Sequence, residues 1–244
     1  LTPPKQPEPA FSIITVCLNS EKTVERTINS VLNQTFNDVE YIIIDGGSTD
    51  NTLNIIESYE EQITTIISEP DKGLYYAMNK GLALAKGRLI GIINSDDWYE
   101  PNTLDLVYQE YLKTGEEAVF HGLCKYYENG KEGKILSYHH DILKYTNIAH
   151  PTCFISKEIY DEFGFFDTDY KIAADYELLL RLYSAGVLFK RIERVLANFD
   201  EGGISESDDS HFEVLRIRRQ YDQINKLKYR LKMLKLKFSS LIKI

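Results

Sequence analysis

Gly91-Ile92-Ile93-Asn94-Ser95-Asp96-Asp97-Trp98 is the stretch on which the reading of the whole chain turns. An apolar run from Leu89 to Ile93 stops abruptly at two adjacent carboxylates. The run reads as a buried strand, which puts Asp96 and Asp97 in the loop at its C-terminal end. Open α/β sheets hold their ligands at that end. Two neighbouring carboxylates repel each other unless a cation shares them, and hard oxygen ligands suit Mg²⁺ or Mn²⁺. The plainer alternative is an Asp pair in a solvated turn before the helix that follows Pro101.

Working outward, the same kind of segment recurs upstream. Phe11 to Cys17 is an apolar, β-branched run, and Tyr41 to Ile44 is another that ends at Asp45. Ile63 to Ile67 is a third. Between them, Val24, Ile28, Val31 and Leu32 recur at helical spacing, as do Leu53, Ile56 and Tyr59, and then Met78, Leu82 and Ala85. Strand and helix alternate through short loops, and the strands are continuously apolar. Both features predict a mostly parallel sheet with helices on both faces.

Downstream of Asp97 the rhythm changes. A helix is expected over Pro101 to Leu112. Short strands follow at Ala118–His121, Lys125–Tyr127, Ile135–Tyr138 and Thr152–Ile155. Asn129-Gly130 marks a hairpin. Helices at Lys157–Phe163 and Asp175–Ser184 precede closing strands at Val187–Ile192 and Val195–Phe199. Residues 1–10, rich in proline, read as a disordered lead-in, and residues 11–212 as one domain. The change of rhythm divides it into two halves, 11–100 and 101–212. Residues 213–244 read as a basic amphipathic helix.

Charge and composition narrow the function. The chain has 244 residues and a formal charge of −9. From Glu213 onward ten Lys and Arg face two acids, so the tail is near +8 and the body near −17. A body that acidic is a poor nucleic-acid binder. Cys17, Cys124 and Cys153 show no metal or disulfide spacing, which fits a reducing compartment. No signal peptide is evident, and there is no apolar run of about 18 residues to span a membrane.

Thr15 and Asn19 follow the first strand, Asp45 ends the second, Asp71 follows the third, and Asp96 and Asp97 follow the fourth. In a parallel sheet these ends converge on one edge. A nucleotide needs a polar group for its base, a carboxylate for its ribose and a cation for its diphosphate, and the set offers candidates for all three. No glycine-rich dinucleotide turn and no phosphate loop are present, so the diphosphate calls for a metal. Taken singly, Asp45 and Asp71 are also ordinary turn residues beside glycine. Asp175 opens an apolar helix, where it can be an N-cap or a general base. His150, before Pro151, can be structural or contact a ligand. His139 and His140 read as surface.

These residues resemble those of glycosyltransferase family 2, with the GT-A fold, over about Phe11 to Asp200. The similarity is greatest to bacterial enzymes of O-antigen, capsule or exopolysaccharide assembly. It is carried by Phe11-Ser12-Ile13-Ile14-Thr15-Val16 with Asn19, Ser30-Val31-Leu32-Asn33-Gln34-Thr35 and Asp45-Gly46-Gly47-Ser48-Thr49-Asp50. Ser68-Glu69-Pro70-Asp71-Lys72-Gly73, Asn79-Lys80-Gly81 and Asn94-Ser95-Asp96-Asp97 complete it.

The resemblance implies that Thr15 and Asp45 hold the nucleobase, that Asp71 lies by base and ribose, and that Asp96 meets ribose or donor sugar. Asp97 would ligate the Mn²⁺ or Mg²⁺ that bridges the diphosphate, and Asp175 would be the catalytic base, although Ala174 precedes it where relatives carry an acid. Val16, Asn19, Ser48, Lys72, Gly73, Tyr75, Asn79, Asn94 and Ser95 fall on the donor side. Trp98, His150 and Tyr176 fall toward the acceptor. Tyr76 stands where relatives often carry Asp. The Gln-x-x-Arg-Trp motif of processive synthases is missing, since Trp98 is the only tryptophan.

The implied reaction is an inverting transfer of one sugar from a nucleotide-sugar, commonly a UDP-sugar, to a glycan or undecaprenyl-diphosphate-linked acceptor. It would take place at the inner face of a bacterial cytoplasmic membrane. In the tail, Ile217, Ile224, Leu231 and Phe238 repeat every seven residues, with Leu227, Leu234 and Leu241 between them. That seam suits an anionic membrane surface or a homodimer, and the plainer alternative is a helix packed on the acidic body. A sugar-phosphate nucleotidyltransferase would need a basic glycine-rich loop where Cys17-Leu18-Asn19-Ser20 stands. A non-catalytic nucleotide-sugar-binding protein of the same fold is the remaining alternative.

Overall fold

The structure is a computed structural model that describes residues 8–128, 130–200 and 208–242. Four strands form its first half: β1 (Phe11–Cys17), β2 (Val39–Asp45), β3 (Thr65–Ser68) and β4 (Leu89–Asn94). They lie parallel in the order β3-β2-β1-β4. Cys17 is opposite Asp45, Asp45 opposite Ser68 and Val16 opposite Asn94, so the strands end together on one edge.

The apolar side chains of these strands divide by parity between two cores. Ile14, Val16, Ile42 and Ile44 join the core that contains helices α3 (Leu74–Leu84) and α6 (Ala174–Ser184). Phe11, Ile13, Tyr41 and Ile43 join the core that contains α1 (Val24–Leu32) and α4 (Thr103–Thr114). A short helix α2 (Thr52–Glu57) belongs to the second face through Ile56.

Beyond β4 the sheet becomes mixed. A two-residue strand β5 (Trp98–Tyr99), β6 (Val119–Glu128), β7 (Lys131–Leu136), β8 (Phe154–Ser156) and β9 (Phe189–Asp200) complete nine strands. β8 runs antiparallel between β4 and β6, whereas β9 lies parallel to β6 and pairs β5 on its other side. Helix α5 (Lys157–Phe163) follows β8 directly. β6 and β9 each unite two expected short strands. Register shifts around Leu123 break the apolar pattern without breaking the strand.

Two expectations need correcting. Residues 1–7 lie outside the described residues, but Pro9 and Ala10 belong to the fold rather than to a disordered lead-in. Ala10 is buried, its N–H donates to Asp38 Oδ2 at 3.0 Å, and the carbonyls of Pro9 and Ala10 each accept a backbone N–H at 3.0 Å. The basic tail is two helices, α7 (Asp208–Gln220) and α8 (Lys226–Ile242). Between them Asp222 takes a left-handed conformation (φ 53°), and the Gln223 N–H donates to the Arg218 carbonyl at 2.8 Å. Leu215, Ile217 and Ile224 are buried in the body, so the first part of the heptad seam faces inward. The side chains of Phe238 and Leu241 lie outside the described residues. Leu227, Leu231 and Leu234 on α8 are exposed.

Candidate active site

Asp45 ends β2 with its side chain fully buried, and the protein itself occupies its carboxylate. The Gly47 and Ser48 N–H groups donate to Oδ2 at 3.2 and 3.1 Å, and the Ser68 hydroxyl donates to the same oxygen at 2.6 Å. The Ser48 hydroxyl donates to Oδ1. Gly47 is left-handed (φ 82°) and a Cβ there would press on Pro70, so the turn admits glycine best. Asn19, also at positive φ (51°), ties the loop after β1 to this turn. Its N–H donates to Ser48 Oγ at 2.8 Å, and its Oδ1 accepts the Thr49 N–H at 2.8 Å.

Asp71 is nearly buried and pairs with Lys80 of α3, which also reaches Glu69 at 2.7 Å. A Cβ on Gly46 would stand 3.7 Å from Asp71 Oδ2 and 3.5 Å from the Cys17 carbonyl. Asp71 therefore lies over the gap between the ends of β1 and β2. Lys72 and Gly73 are exposed just before α3.

The turn after β4 carries the carboxylate pair. Asp97 is fully buried, its Oδ1 accepts the Asp200 N–H at 3.3 Å, and its Oδ2 has no partner. Burial pushes its carboxyl well above the usual carboxylate range, and the neighbouring Asp96 adds to the rise. Asp96, partly exposed, is raised first by burial and then by Asp200. The Ser95 hydroxyl meets that of Ser20 at 2.6 Å, and the partly exposed Asn94 has an unpartnered Oδ1. Once ionised, Asp97 is a buried charge short of a counter-charge, which is costly by itself. Mg²⁺ commonly binds through one or two carboxylates together with phosphate oxygens and water. Asp97, with Asp96 beside it, fits that kind of site. Among the described residues no group of three or more His, Cys, Asp or Glu side chains is arranged to hold a metal unaided.

Asp175 sits in a cage of neutral groups. The Asn147 amide donates to its Oδ2 at 2.6 Å, and the Tyr75 hydroxyl lies 3.0 Å from its Oδ1 while reaching the Ile172 carbonyl at 2.7 Å. His150 packs edge-on to Phe166 at 5.8 Å between centroids. Its imidazole is lowered by burial and partly restored by Asp175. Asp175 does not cap α6. The helix begins after Ala173 without a side-chain cap, and Glu213 of α7 instead holds the loop that leads into it. Glu213 Oε2 accepts the N–H groups of Ile172 and Ala173 at 2.9 Å, and Oε1 accepts that of Lys171 at 2.8 Å.

Four expected site residues are turned elsewhere. Thr15 is fully buried with its hydroxyl 3.0 Å from that of Tyr41, and Val16 lies in the core, because strand parity points both into the two faces rather than off the edge. Asn79 spans α3 and the loop before Asp167, donating to the Phe166 carbonyl at 3.0 Å and accepting its N–H at 3.1 Å. Tyr176 is buried with its hydroxyl on the Leu143 carbonyl at 2.8 Å. Tyr75 belongs with Asp175.

The structure also brings in residues that sequence reasoning missed. A cleft of about 540 Å³ opens between the loops after β1 and β4, lined by Leu18 to Thr23, Asp50, Ser95 and Asp96. Beside it, Arg26 of α1 stacks on Trp98 at 3.7 Å, donates to the Asp96 carbonyl at 2.6 Å and pairs with Asp200 at 3.1 Å. Trp98 in turn lies 4.8 Å from the Tyr127 ring. Arg26 carries no motif signal beyond standing on the polar side of an amphipathic helix. Asp200 had none except its place at the end of an apolar run.

Residues 12–170 match the family model described as glycosyl transferase family 2. The chain is 30% identical over 240 residues to the chondroitin synthase of Escherichia coli, a match that covers 91% of this chain and 34% of that protein. It therefore spans about a third of that relative's length. It is 30% identical over 207 residues to a PGL/p-HBAD biosynthesis glycosyltransferase of Mycobacterium bovis, covering 82% of this chain and 80% of the relative. Among solved structures it resembles S. aureus TarS in complex with UDP-GlcNAc, with a TM-score of 0.72 and 20% identity over 94% of this chain and 72% of the other. The mannosyltransferase PcManGT from Pyrobaculum calidifontis, in complex with GDP-Man and Mn²⁺, gives a TM-score of 0.67 at 16% identity over 91% and 66% of the two chains.

Proposed function

The chain belongs to glycosyl transferase family 2, and from that premise we propose that it moves one sugar, with inversion, from a nucleotide-sugar to an acceptor hydroxyl. The donor is a UDP-sugar, and the acceptor a glycan or lipid-linked glycan of a bacterial surface polysaccharide. The observation that carries this reading is the buried, unpartnered oxygen of Asp97 at the edge where the parallel strands end.

In this reading residues 11–100 receive the nucleotide and 101–212 the acceptor. Asp97, assisted by Asp96, would hold a divalent ion, which supplies Lewis-acid stabilisation of the leaving nucleoside diphosphate when bound. Asp71 and the turn organised by Asp45 frame the nucleoside. Asp175 takes the proton from the acceptor hydroxyl as that oxygen attacks the anomeric carbon. Asn147 and Tyr75 fix the direction of its carboxylate. Trp98 and Tyr127 offer an aromatic wall for a sugar ring. Among the described residues no helix is long and apolar enough to cross a membrane. The exposed Leu227, Leu231 and Leu234 among the lysines of α8 suit contact with an anionic membrane surface where a lipid-linked acceptor resides.

The test is release of nucleoside diphosphate from a panel of UDP-, GDP- and dTDP-sugars, each with Mn²⁺, Mg²⁺ or EDTA, for the wild type and Asp97→Ala. Turnover of one donor, lost with EDTA and with the substitution, is expected. Turnover indifferent to both would overturn the metal-dependent reading, and release from no donor, even with glycan acceptors added, would overturn transfer itself.

A further inference from the structure

The cleft beside Asp96 is rich in acids. Glu21, Asp50 and Asp96 lie in its lining, Asp97 and Asp200 stand next to it, and Lys22 is the one cation in the lining. A single divalent ion neutralises only two of these charges, and an entering diphosphate brings more of the same sign. A further cation at the leaving group is therefore needed on electrostatic grounds.

Arg26 stands four residues beyond Lys22 and is held in place on three sides. Its guanidinium carbon lies 3.7 Å from the centre of the Trp98 ring, and Nη2 donates to the Asp96 carbonyl at 2.6 Å and to Asp200 Oδ2 at 3.1 Å. Its side chain remains 39% exposed, so these contacts orient the group without burying it. Nε and Nη1 have no partner among the described residues. A planar fork held against a ring and at one corner, with Nε and Nη1 unpartnered among the described residues, can take two oxygens of a phosphate.

We propose that Arg26 is a diphosphate-binding residue that contacts the leaving nucleoside diphosphate alongside the metal carboxylates, with Trp98 and Asp200 as its positioning partners. The inference rests on the reading of this cleft as a nucleotide-sugar site. The competing explanation is purely architectural: Arg26 ties α1 to β5 and β9 and touches no ligand.

Calorimetric binding of UDP and UMP, with GDP and GMP as a second pair, in Mg²⁺ separates the two. The proteins are the wild type, Arg26→Met and Arg26→Lys, each checked by thermal melting. The methionine variant is expected to lose about tenfold or more in diphosphate affinity, the scale of a charged hydrogen bond, while monophosphate affinity stays within about twofold. The lysine variant keeps the charge but not the fork, so its loss is intermediate and again confined to the diphosphate. It carries the test if the methionine variant melts early. Equal loss for diphosphate and monophosphate, or no loss, overturns the proposal while leaving the donor site intact. A wild type that binds neither pair overturns the donor site, and the proposal with it.

Discussion

The carboxylate of Glu213 accepts the backbone N–H of Ala173 at 2.9 Å, so the entry to the helix carrying Asp175 is anchored from 40 residues downstream. Two further N–H groups share the same carboxylate. Glu213→Gln keeps the shape but removes the charge that the helix N-terminus favours. The expected result is a loss of about 1 kcal/mol, read as a drop in melting temperature of roughly 2–4 °C. Glu213→Ala should lose more and lower kcat with little change in donor KM.

Asp175 and Tyr75 should separate in kinetics. Asp175→Asn retains the Asn147 contact region and the helix but cannot accept a proton. A fall in kcat of about 10²–10⁴ with unchanged donor affinity is expected for a general base. Tyr75→Phe leaves the base in place and releases its orientation, so a smaller loss, on the order of tenfold, is expected. Steady-state rates with calorimetric donor binding check both. An Asp175→Asn variant with wild-type kcat would remove the base from the mechanism.

Asp97 offers a test that does not depend on turnover. Its buried carboxylate has one oxygen without a partner, so neutralising it relieves the folded protein. In EDTA, Asp97→Asn is expected to melt higher than the wild type, by an amount on the order of 1 kcal/mol. In Mn²⁺ the order should reverse, because only the wild type gains stability from the ion. Melting curves at matched ionic strength read the crossover.

His121 sets an expectation for acid stability. The ring is fully buried against Phe189, with Nε2 at 3.2 Å from His140 Nδ1, and burial followed by the His140 charge lowers it to about 3. His139, Asp141 and Tyr183 complete its surroundings through His140, and Arg191 faces it from β9. Because the folded value lies below the unfolded one, the unfolded chain takes up the proton first. Stability is therefore whole above about pH 6.5 and falls as pH drops toward the folded value, by about 1.4 kcal/mol per pH unit for one proton. His121→Gln should flatten the urea-denaturation stability between about pH 6 and 4, a range set by the same linkage. An unchanged slope would assign the acid limb to other groups.

The parallel half of the sheet was legible because Phe11–Cys17, Tyr41–Ile44 and Leu89–Ile93 are continuous apolar runs that end at polar residues, the pattern of strands buried on both faces. Asp45, Asp71, Asp96 and Asp97 were legible for the same reason, as strand ends. What the pattern hid was side-chain direction. Thr15 is two residues from the end of β1, yet its hydroxyl turns onto Tyr41, since parity rather than sequence proximity decides which face a residue serves. β6 and β9 read as broken because Leu123 and its neighbours sit at register shifts. The Arg26–Asp200 pair joins residues 174 apart in the chain, and no local signal encodes such a meeting. The heptad of the tail was real as a spacing, but Ile217 and Ile224 serve the body while Leu231 does not.

The turn at Asp222 also fixes where the molecule can be shortened. Truncation after residue 212 would remove Glu213, strip Ile217 from its seat and leave buried Glu177 without the Tyr221 hydroxyl that now donates to it. Truncation after Asn225 would remove α8, on which Leu227, Leu231 and Leu234 are exposed. The shortest chain that keeps the core closed thus extends through α7.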